Sequence, residues 1–129
     1  MAVELDRGAL AHLHERFDGV AGVTVVAGDL LQVPLPRRPY RVVANLPFAT
    51  TSSALRRLLD TRGNLRRADV VVQRGAAVAW ATELRRRSPA ARRAFDLRLG
   101  PTIRAERFLP PPSVDAAVLT ATRRPRHRR

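Results

Sequence analysis

Residues 40–48 constrain the fold most. An apolar stretch that suits a β-strand leads directly into four residues, 45–48, in which a proline prevents the strand from continuing. Residues 40–44 are rich in β-branched and aromatic side chains, a composition typical of a buried strand. Pro47 has no N–H and cannot join a central ladder, so the chain must leave the sheet there. In open α/β sheets, ligands bind beyond the carboxyl ends of the strands. The tetrad Asn-Leu-Pro-Phe at 45–48 therefore stands where a ligand is expected.

The tetrad offers two kinds of contact to an aromatic amine. The Asn45 side-chain oxygen can accept a hydrogen bond from an exocyclic amine. Leu46 is held extended by the following proline and can point its carbonyl outward. The Phe48 ring gives a face on which a base can stack, a contact typically of about 1–3 kcal/mol. A strand-end turn with a core phenylalanine explains the same residues, and the tetrad alone does not separate the two readings.

Four stretches, in order, resemble the rRNA adenine-N6 dimethyltransferase family. The tetrad at 45–48 resembles motif IV of the S-adenosylmethionine-dependent amino methyltransferases. The other three are Ala-Val-Glu-Leu-Asp at 2–6, Gly-Asp-Leu-Leu at 28–31, and Phe-Leu-Pro-Pro-Pro-Ser-Val-Asp-Ala-Ala-Val at 108–118. Gln-Arg-Gly-Ala-Ala at 73–77 and the arginine-rich composition are most similar to the macrolide-resistance branch, which modifies 23S rRNA.

The resemblance implies an α/β fold, a Rossmann-like class I methyltransferase sheet that lacks its first strand and Gly-rich loop. In the family that strand and loop precede the stretch matched at Ala2, and no G-x-G-x-x-G run occurs in this sequence. We expect residues 1–122 to form a partial catalytic domain and residues 123–129 a basic tail. We also expect an N-terminally truncated or mis-started form of a longer enzyme, with weak or no cofactor binding.

The function that the resemblance implies is methyl transfer from S-adenosylmethionine to N6 of an adenine in 23S rRNA, conferring macrolide-type antibiotic resistance. The implied catalytic residues are Asn45, Leu46, Pro47 and Phe48. The implied cofactor contacts are Glu4, Asp29, Leu30 and Asn45.

The sequence pattern alone supports the roles of the cofactor contacts less strongly than it supports the roles of the tetrad residues. Glu4 follows a short strand, where a carboxylate can accept from the two hydroxyls of a ribose, although an acid at a strand end is common. Asp29 can accept from the cofactor's adenine amine, and it also suits an Asx turn after the strand. The two roles of Asp29 are compatible.

The charge balance points to a polyanionic partner. There are 24 basic and 11 acidic residues, a net charge of +13, and every basic residue is arginine. A high-GC genome explains arginine over lysine but not the imbalance, so nucleic acid is the expected partner, rRNA in particular. Without cysteine, neither a disulfide framework nor a thiolate zinc site is available, and we expect no metal. No signal peptide or long apolar span is visible, so we expect a cytoplasmic monomer without membrane contact.

Two alternatives remain open from the sequence. One is the small-subunit rRNA adenine dimethyltransferase, and the other is a non-catalytic, basic RNA-binding remnant. DNA amino methyltransferases share such a tetrad but lack the match at 108–118.

Hydrophobic patterns predict the elements along the chain. Strands are expected at 1–6, 23–27, 40–44, 69–73, 95–103 and 114–122, and helices at 7–17, 54–59 and 75–87. Residues 50–53 are expected to supply an N-cap, 61–68 a loop and 108–112 a stiff, polyproline-like connection. Trp80 is assigned to the core, and Gly100 and Pro101 to a bulge.

Overall fold

A computed structural model describes residues 1–125, apart from the side chains of Arg85 and Arg87. The chain divides into two compact units, Met1–Leu35 and Pro36–Arg129. Most of the predicted basic tail, residues 126–129, lies outside the described residues. Along the described part of the chain, no helix combines the length and the hydropathy needed to cross a membrane.

The smaller unit, Met1–Leu35, is a strand–helix–strand segment. Strand β1 (Ala2–Glu4) pairs in parallel with β2 (Val25–Ala27), and helix α1 (Arg7–Phe17) connects them. Helix α1 begins where predicted because the Asp6 carboxylate accepts from a backbone N–H of the first turn at 2.8 Å. All three predicted elements of this segment are therefore confirmed.

The larger unit, Pro36–Arg129, carries a four-stranded mixed sheet. Its strands are β3 (Tyr40–Asn45), β4 (Leu65–Gln73), β5 (Phe95–Ile103) and β6 (Ala116–Arg123). Its helices are α2 (Thr51–Leu58), α3 (Arg74–Arg87) and α4 (Pro89–Ala94), with one-turn 3-10 helices at Phe48–Thr50 and Ala105–Arg107. The order across the sheet is β3-β4-β6-β5. Strands β3 and β4 are parallel, whereas β6 is antiparallel to both of its neighbours.

The core of the larger unit lies on one face of this sheet. Helix α3 packs on β5 and β6 and buries Trp80, which is 2% exposed, so the predicted core position of Trp80 is confirmed. Helix α2 buries Leu55 and Leu58, as its spacing predicts. The strand residues buried on this face are Ala68, Val70, Val72, Ala117, Leu119 and Ala121. They alternate along β4 and β6, as expected for a sheet with one packed face.

Strands β1 and β3 each pair on one side only. The family resemblance implies a further strand between the Glu4 strand and the Asn45 strand. Among residues 1–125, β1 pairs with β2 alone and β3 pairs with β4 alone. The predicted α/β class is confirmed.

Strand β4 begins at Leu65, four residues before the predicted start, so the loop predicted for residues 61–68 is wrong in its second half. Leu65 and Ala68 are buried, and the two arginines between them are exposed. The parallel pairing with β3 extends to this point, with Leu65 opposite Tyr40. Long-range pairing thus overrides a local composition that is typical of a loop.

The serine and threonine residues at 50–53 do not cap helix α2 through their side chains, contrary to prediction. Helix α2 starts at Thr51, and its N-cap residue Thr50 makes no side-chain capping bond. The hydroxyls of Thr50 and Thr51 donate instead to the Pro47 carbonyl, at 3.3 and 3.2 Å. These residues therefore stabilise the turn that follows β3.

Three further features lie in the second half of the chain. Helix α4 was not predicted; the Ser88 hydroxyl caps it by accepting from an N–H at 3.2 Å.

The predicted bulge is confirmed by a register shift between Leu99 and Thr102. At Gly100 an added Cβ would lie 3.0 Å from a carbonyl oxygen of β6, so the close strand approach favours glycine. The predicted stiff connection at 108–112 includes a cis peptide bond before Pro110.

Candidate active site

The tetrad at 45–48 forms the exit from strand β3. Asn45 is the last strand residue, and the Leu46 N–H still donates to the Val71 carbonyl at 3.0 Å. The Leu46 side chain is 3% exposed and anchors the exit in the core. Pro47 then ends the ladder, as its missing N–H predicts, and Phe48 begins a one-turn 3-10 helix.

The turn after Pro47 is held by one carbonyl. The Pro47 oxygen accepts from the Thr50 N–H at 3.1 Å and from the hydroxyls of Thr50 and Thr51. Because Thr51 is 4% exposed, its hydroxyl contact is largely shielded from water. This arrangement fixes the backbone on which the Phe48 ring is mounted.

Asn45, Leu46, Pro47 and Phe48 all line one open hollow of about 340 Å³. Asn45 is exposed, and its side-chain amide makes no hydrogen bond with any residue of the described 1–125 range. Phe48 is half-buried, so part of its ring surface remains available. The hollow thus offers an unpartnered amide and an aromatic surface, and its volume lies in the range of small-ligand pockets, about 300–1,000 Å³.

The opposite wall of the hollow comes from residues 108–112. Phe108, Leu109, Pro110 and Pro112 line it together with the tetrad. Asp115 holds this segment in place: its carboxylate accepts from the Ala105 N–H at 2.8 Å, and its carbonyl accepts from the Arg74 N–H at 2.9 Å.

The sequence analysis assigned residues 108–118 to the family match but did not predict that residues 108–112 form this wall. The position of this wall follows from the strand order. Strand β6 is antiparallel to β4, and Ala116 lies opposite Gln73, the last residue of β4. The segment that enters β6 is therefore brought to the edge where β3 and β4 end. A prediction of antiparallel β6 beside β4 would have placed it there.

Glu4 ends strand β1 in the smaller unit. Its Oε1 atom accepts from the backbone N–H groups of Leu5 and Asp6, both at 2.9 Å. Its backbone carbonyl accepts from the Gly28 N–H at 3.0 Å, which continues the parallel ladder by one residue. The Oε2 atom has no hydrogen-bond donor within residues 1–125.

Asp29 follows strand β2 and forms the predicted Asx turn, with Oδ1 accepting from the Leu31 N–H at 2.8 Å. Its carbonyl accepts from the N–H groups of Gln32 and Val33. Its Oδ2 atom has no donor among the residues that the structure describes. Leu30, the next residue, is half-buried.

The predicted site residues therefore fall into two groups. Glu4, Asp29 and Leu30 come together at the carboxyl ends of β1 and β2 in Met1–Leu35. The tetrad at 45–48 comes together at the carboxyl end of β3 in Pro36–Arg129. Over residues 1–125 no group of three or more His, Cys, Asp or Glu side chains has the arrangement of a metal site.

Solved structures define the class of fold. The chain superposes on the crystal structure of the 23S rRNA methyltransferase ErmE with a TM-score of 0.84 and 24% identity, covering 95% of this chain and 51% of that one. The architecture is therefore that of the Rossmann-like rRNA methyltransferases.

Sequence comparison then identifies the family. The profile described as Ribosomal RNA adenine dimethylase matches residues 1–128, and the chain belongs to this family. An rRNA adenine N-6-methyltransferase of Bacillus licheniformis is 28% identical over 96% of this chain and 44% of its own length. An rRNA methyltransferase of Streptomyces thermotolerans is 35% identical over 97% of this chain and 42% of its own length. The chain thus spans less than half of each of these curated relatives.

Proposed function

We propose that this chain supplies the target-base side of an enzyme that transfers methyl groups from S-adenosylmethionine to N6 of an adenine in 23S rRNA. The observation that carries the proposal is the hollow shared by the unpartnered Asn45 amide and the half-buried Phe48 ring. In this proposal residues 1–123 act as a partial catalytic domain, because Arg123, predicted as the first residue of the basic tail, is instead the last residue of β6, and only the residues after it act as the tail. A cytoplasmic monomer and macrolide-type resistance are parts of the same proposal.

The tetrad residues have separate roles in this reaction. The Asn45 side-chain oxygen and the Leu46 carbonyl accept from the two N–H groups of the adenine amine and hold its nitrogen in place. The Phe48 ring stacks on the purine. Pro47 fixes the turn that sets the distance between the acceptors and the ring. Positioning of this kind, together with stabilisation of developing charge on the amine, requires no strong general base.

The smaller unit fits the nucleoside part of the cofactor. Ribose hydroxyls and the adenine amine are hydrogen-bond donors, and Glu4 and Asp29 each present a carboxylate oxygen without a donor in residues 1–125. Leu30 would contact the adenine ring. S-adenosylmethionine supplies an electrophilic methyl group when bound.

The RNA partner is supported by charge. The net charge of +13 favours a polyanion and predicts binding that weakens steeply as salt rises. Arg107 is exposed just before the wall at 108–112, and Arg74 is exposed just after β4, whereas the nearby Arg104 pairs with Glu106 at 3.3 Å. These arginines place positive charge in the segments that border the hollow.

The test of the activity is a transfer assay with the full chain, labelled S-adenosylmethionine, and 23S and 16S rRNA supplied separately. Primer extension locates the product, because dimethyladenine stops reverse transcription. Because we expect the chain to bind S-adenosylmethionine weakly, we expect slow modification of 23S rRNA that rises with cofactor concentration; Asn45→Ala and Phe48→Ala should abolish it, while the surface variant Leu99→Ala should not. Full activity in both tetrad variants would reject their roles.

A second test measures the two ligands without catalysis. Calorimetry should show weak or no binding of S-adenosylmethionine to the chain, and tight binding would contradict that part of the proposal. Phe48→Ala should weaken binding to an RNA hairpin with one unpaired adenine by about 5- to 150-fold, as expected for one lost stack. The same variant should bind an abasic version of the hairpin as the wild type does. A non-catalytic basic RNA binder would show equal affinities for both hairpins.

A further inference from the structure

Leu109 is the most exposed large apolar side chain of the described residues, at 98%. It lies on the wall of the hollow that also holds Phe48 and Asn45. An isolated exposed leucine needs no explanation on a protein surface. A leucine that is nearly fully exposed at the rim of a ligand-sized hollow is a different case, because binding in the hollow brings a ligand against it.

The backbone that carries Leu109 is fixed on both sides. Before it, the Phe108 N–H donates to the Ala105 carbonyl at 3.1 Å, and the Ala105 N–H donates to the Asp115 carboxylate at 2.8 Å. After it come three consecutive prolines, each of which restricts φ. The half-buried Phe108 ring anchors the segment from the protein side. The leucine is therefore presented outward by a rigid support.

A base that leaves an RNA stack leaves a gap between its two neighbours. Nucleic-acid-binding proteins fill or open such gaps with apolar side chains, leucine among them. The energy needed to unstack a base must be recovered from contacts that exist only in the opened state. Leu109 has no polar atom that must remain hydrated, and almost none of its surface is used within the protein.

We propose that Leu109 is a wedge that enters the RNA stack next to the adenine held in the hollow, and so stabilises the extruded base. This role rests on the proposed function, because it requires an adenine to occupy the tetrad side of the hollow. Leu109 would act on the RNA and not on the methyl group, which makes it a positioning residue. In this arrangement Phe48 stacks on the extruded adenine, and Leu109 fills the gap that the adenine leaves in the RNA stack.

The test uses the full chain and an RNA hairpin with a bulged adenine in its stem and 2-aminopurine as the neighbouring base, whose fluorescence rises when the adenine leaves the stack. Binding is measured on the same samples by anisotropy of an end label. The variants are Leu109→Ala, the conservative Leu109→Met, and Leu99→Ala as a matched control from a leucine that is 43% exposed and does not line the hollow. Trp80 fluorescence verifies that each variant is folded.

We expect wild type, Leu109→Met and Leu99→Ala to raise the 2-aminopurine signal. Leu109→Ala should lower the equilibrium constant for extrusion in the complex about tenfold, the size expected for losing one buried leucine contact. Its affinity for RNA should change by less than about threefold, because charge dominates binding. An abasic hairpin should remove the difference between Leu109→Ala and wild type.

The outcomes separate this proposal from the proposed function. If wild type and Leu109→Ala raise the signal equally, the wedge is wrong while extrusion into the hollow stands. If Leu109→Ala loses RNA affinity on the abasic hairpin as well, Leu109 is a general contact and the wedge is also wrong. If wild type binds the hairpin without any rise in signal, or does not bind it, both proposals fail.

Discussion

Met1–Leu35 and Pro36–Arg129 both contain parallel strands with a helix between them, yet they differ in what is buried. Every buried residue of the described chain belongs to the larger unit, and helix α1 of the smaller unit buries none of its side chains. The smaller unit's sheet has two strands of three residues each. A two-stranded sheet of this size is marginally stable by itself.

The comparison separates the two proposed groups of site residues, one in each unit. The acceptors Glu4 and Asp29 are carried by elements without a buried side chain, whereas the tetrad is anchored by Leu46 and by a sheet with a packed face. Local unfolding is easiest where few apolar side chains are buried. We therefore expect the target-base side to be rigid and the cofactor side to open readily.

The largest effect should come from removing a core leucine of the larger unit. Leu119 is 1% exposed on β6, and Leu119→Ala should cost about 2–5 kcal/mol, measured as the urea transition of Trp80 fluorescence. The matched variant Leu10→Ala, at a half-buried position of α1, should shift this transition much less. Equal shifts of the urea midpoint in the two variants would contradict the difference between the units, because they would show that both units depend equally on their leucine side chains.

A smaller effect should follow from Arg123, the last residue of β6. Its guanidinium donates to the carbonyls of Thr61, Gly63 and Leu65 and lies 4.5 Å from the centre of the Phe95 ring. Arg123→Ala should cost about 2–3 kcal/mol of unfolding free energy, because it leaves carbonyls unpaired and removes the ring contact.

Arg123→Lys sharpens this prediction. Lysine keeps the charge but lacks the planar fork that reaches several carbonyls at once. We expect it to recover less than half of the loss in the same urea experiment. Full recovery would show that charge alone, not the fork, stabilises the start of β4.

One helix cap in each unit allows the stability of the two units to be compared directly. Asp6 caps α1 at 2.8 Å in the smaller unit, and Ser88 caps α4 at 3.2 Å in the larger one. Replacing either by alanine removes one capping bond, worth about 1 kcal/mol. In the smaller unit this is a large share of the stability, so Asp6→Ala should lower helical circular dichroism in water, while Ser88→Ala should shift only the urea midpoint. Unchanged ellipticity in Asp6→Ala would contradict the marginal stability of α1.

The smallest expected effect is a dependence on pH within the larger unit. The Arg67 guanidinium donates to both carboxylate oxygens of Asp69, at 2.8 and 2.9 Å, and this contact lowers the pKa of Asp69. A carboxyl group whose pKa is lowered by folding adds stability above its unfolded pKa, about 3.9, and this stability is lost as the pH falls through the folded value.

Asp69→Asn measures that contribution. Because the pair is partly exposed, the variant should lose no more than about 1 kcal/mol at pH 7. The difference in urea midpoint between variant and wild type should shrink as the pH falls from about 5 to about 2. A difference that stays constant with pH would show that the ion pair does not contribute.

Local signals predicted the elements with strong boundaries. Helix α1 was predicted at both ends from the spacing of its apolar residues, and the structure adds the Asp6 cap at its start. The exit at Pro47 was predicted from the chemistry of proline alone. Long-range pairing explains what was missed: Leu65 joins β4 through its pairing opposite Tyr40 and through the Arg123 contact. The wall at 108–112 reaches the tetrad only because β6 lies antiparallel beside β4, which no local pattern reveals.

The ladder between β4 and β6 sets the width of the proposed adenine site. The tetrad and the facing wall are about 60 residues apart in sequence, and the pairing of Gln73 with Ala116 fixes their separation. A shift of two residues in this pairing keeps the same side chains facing the core but moves the wall by about 7 Å. Substitutions in β6 that change strand alignment would therefore change which bases the proposed site admits, although no residue proposed to contact the base is altered.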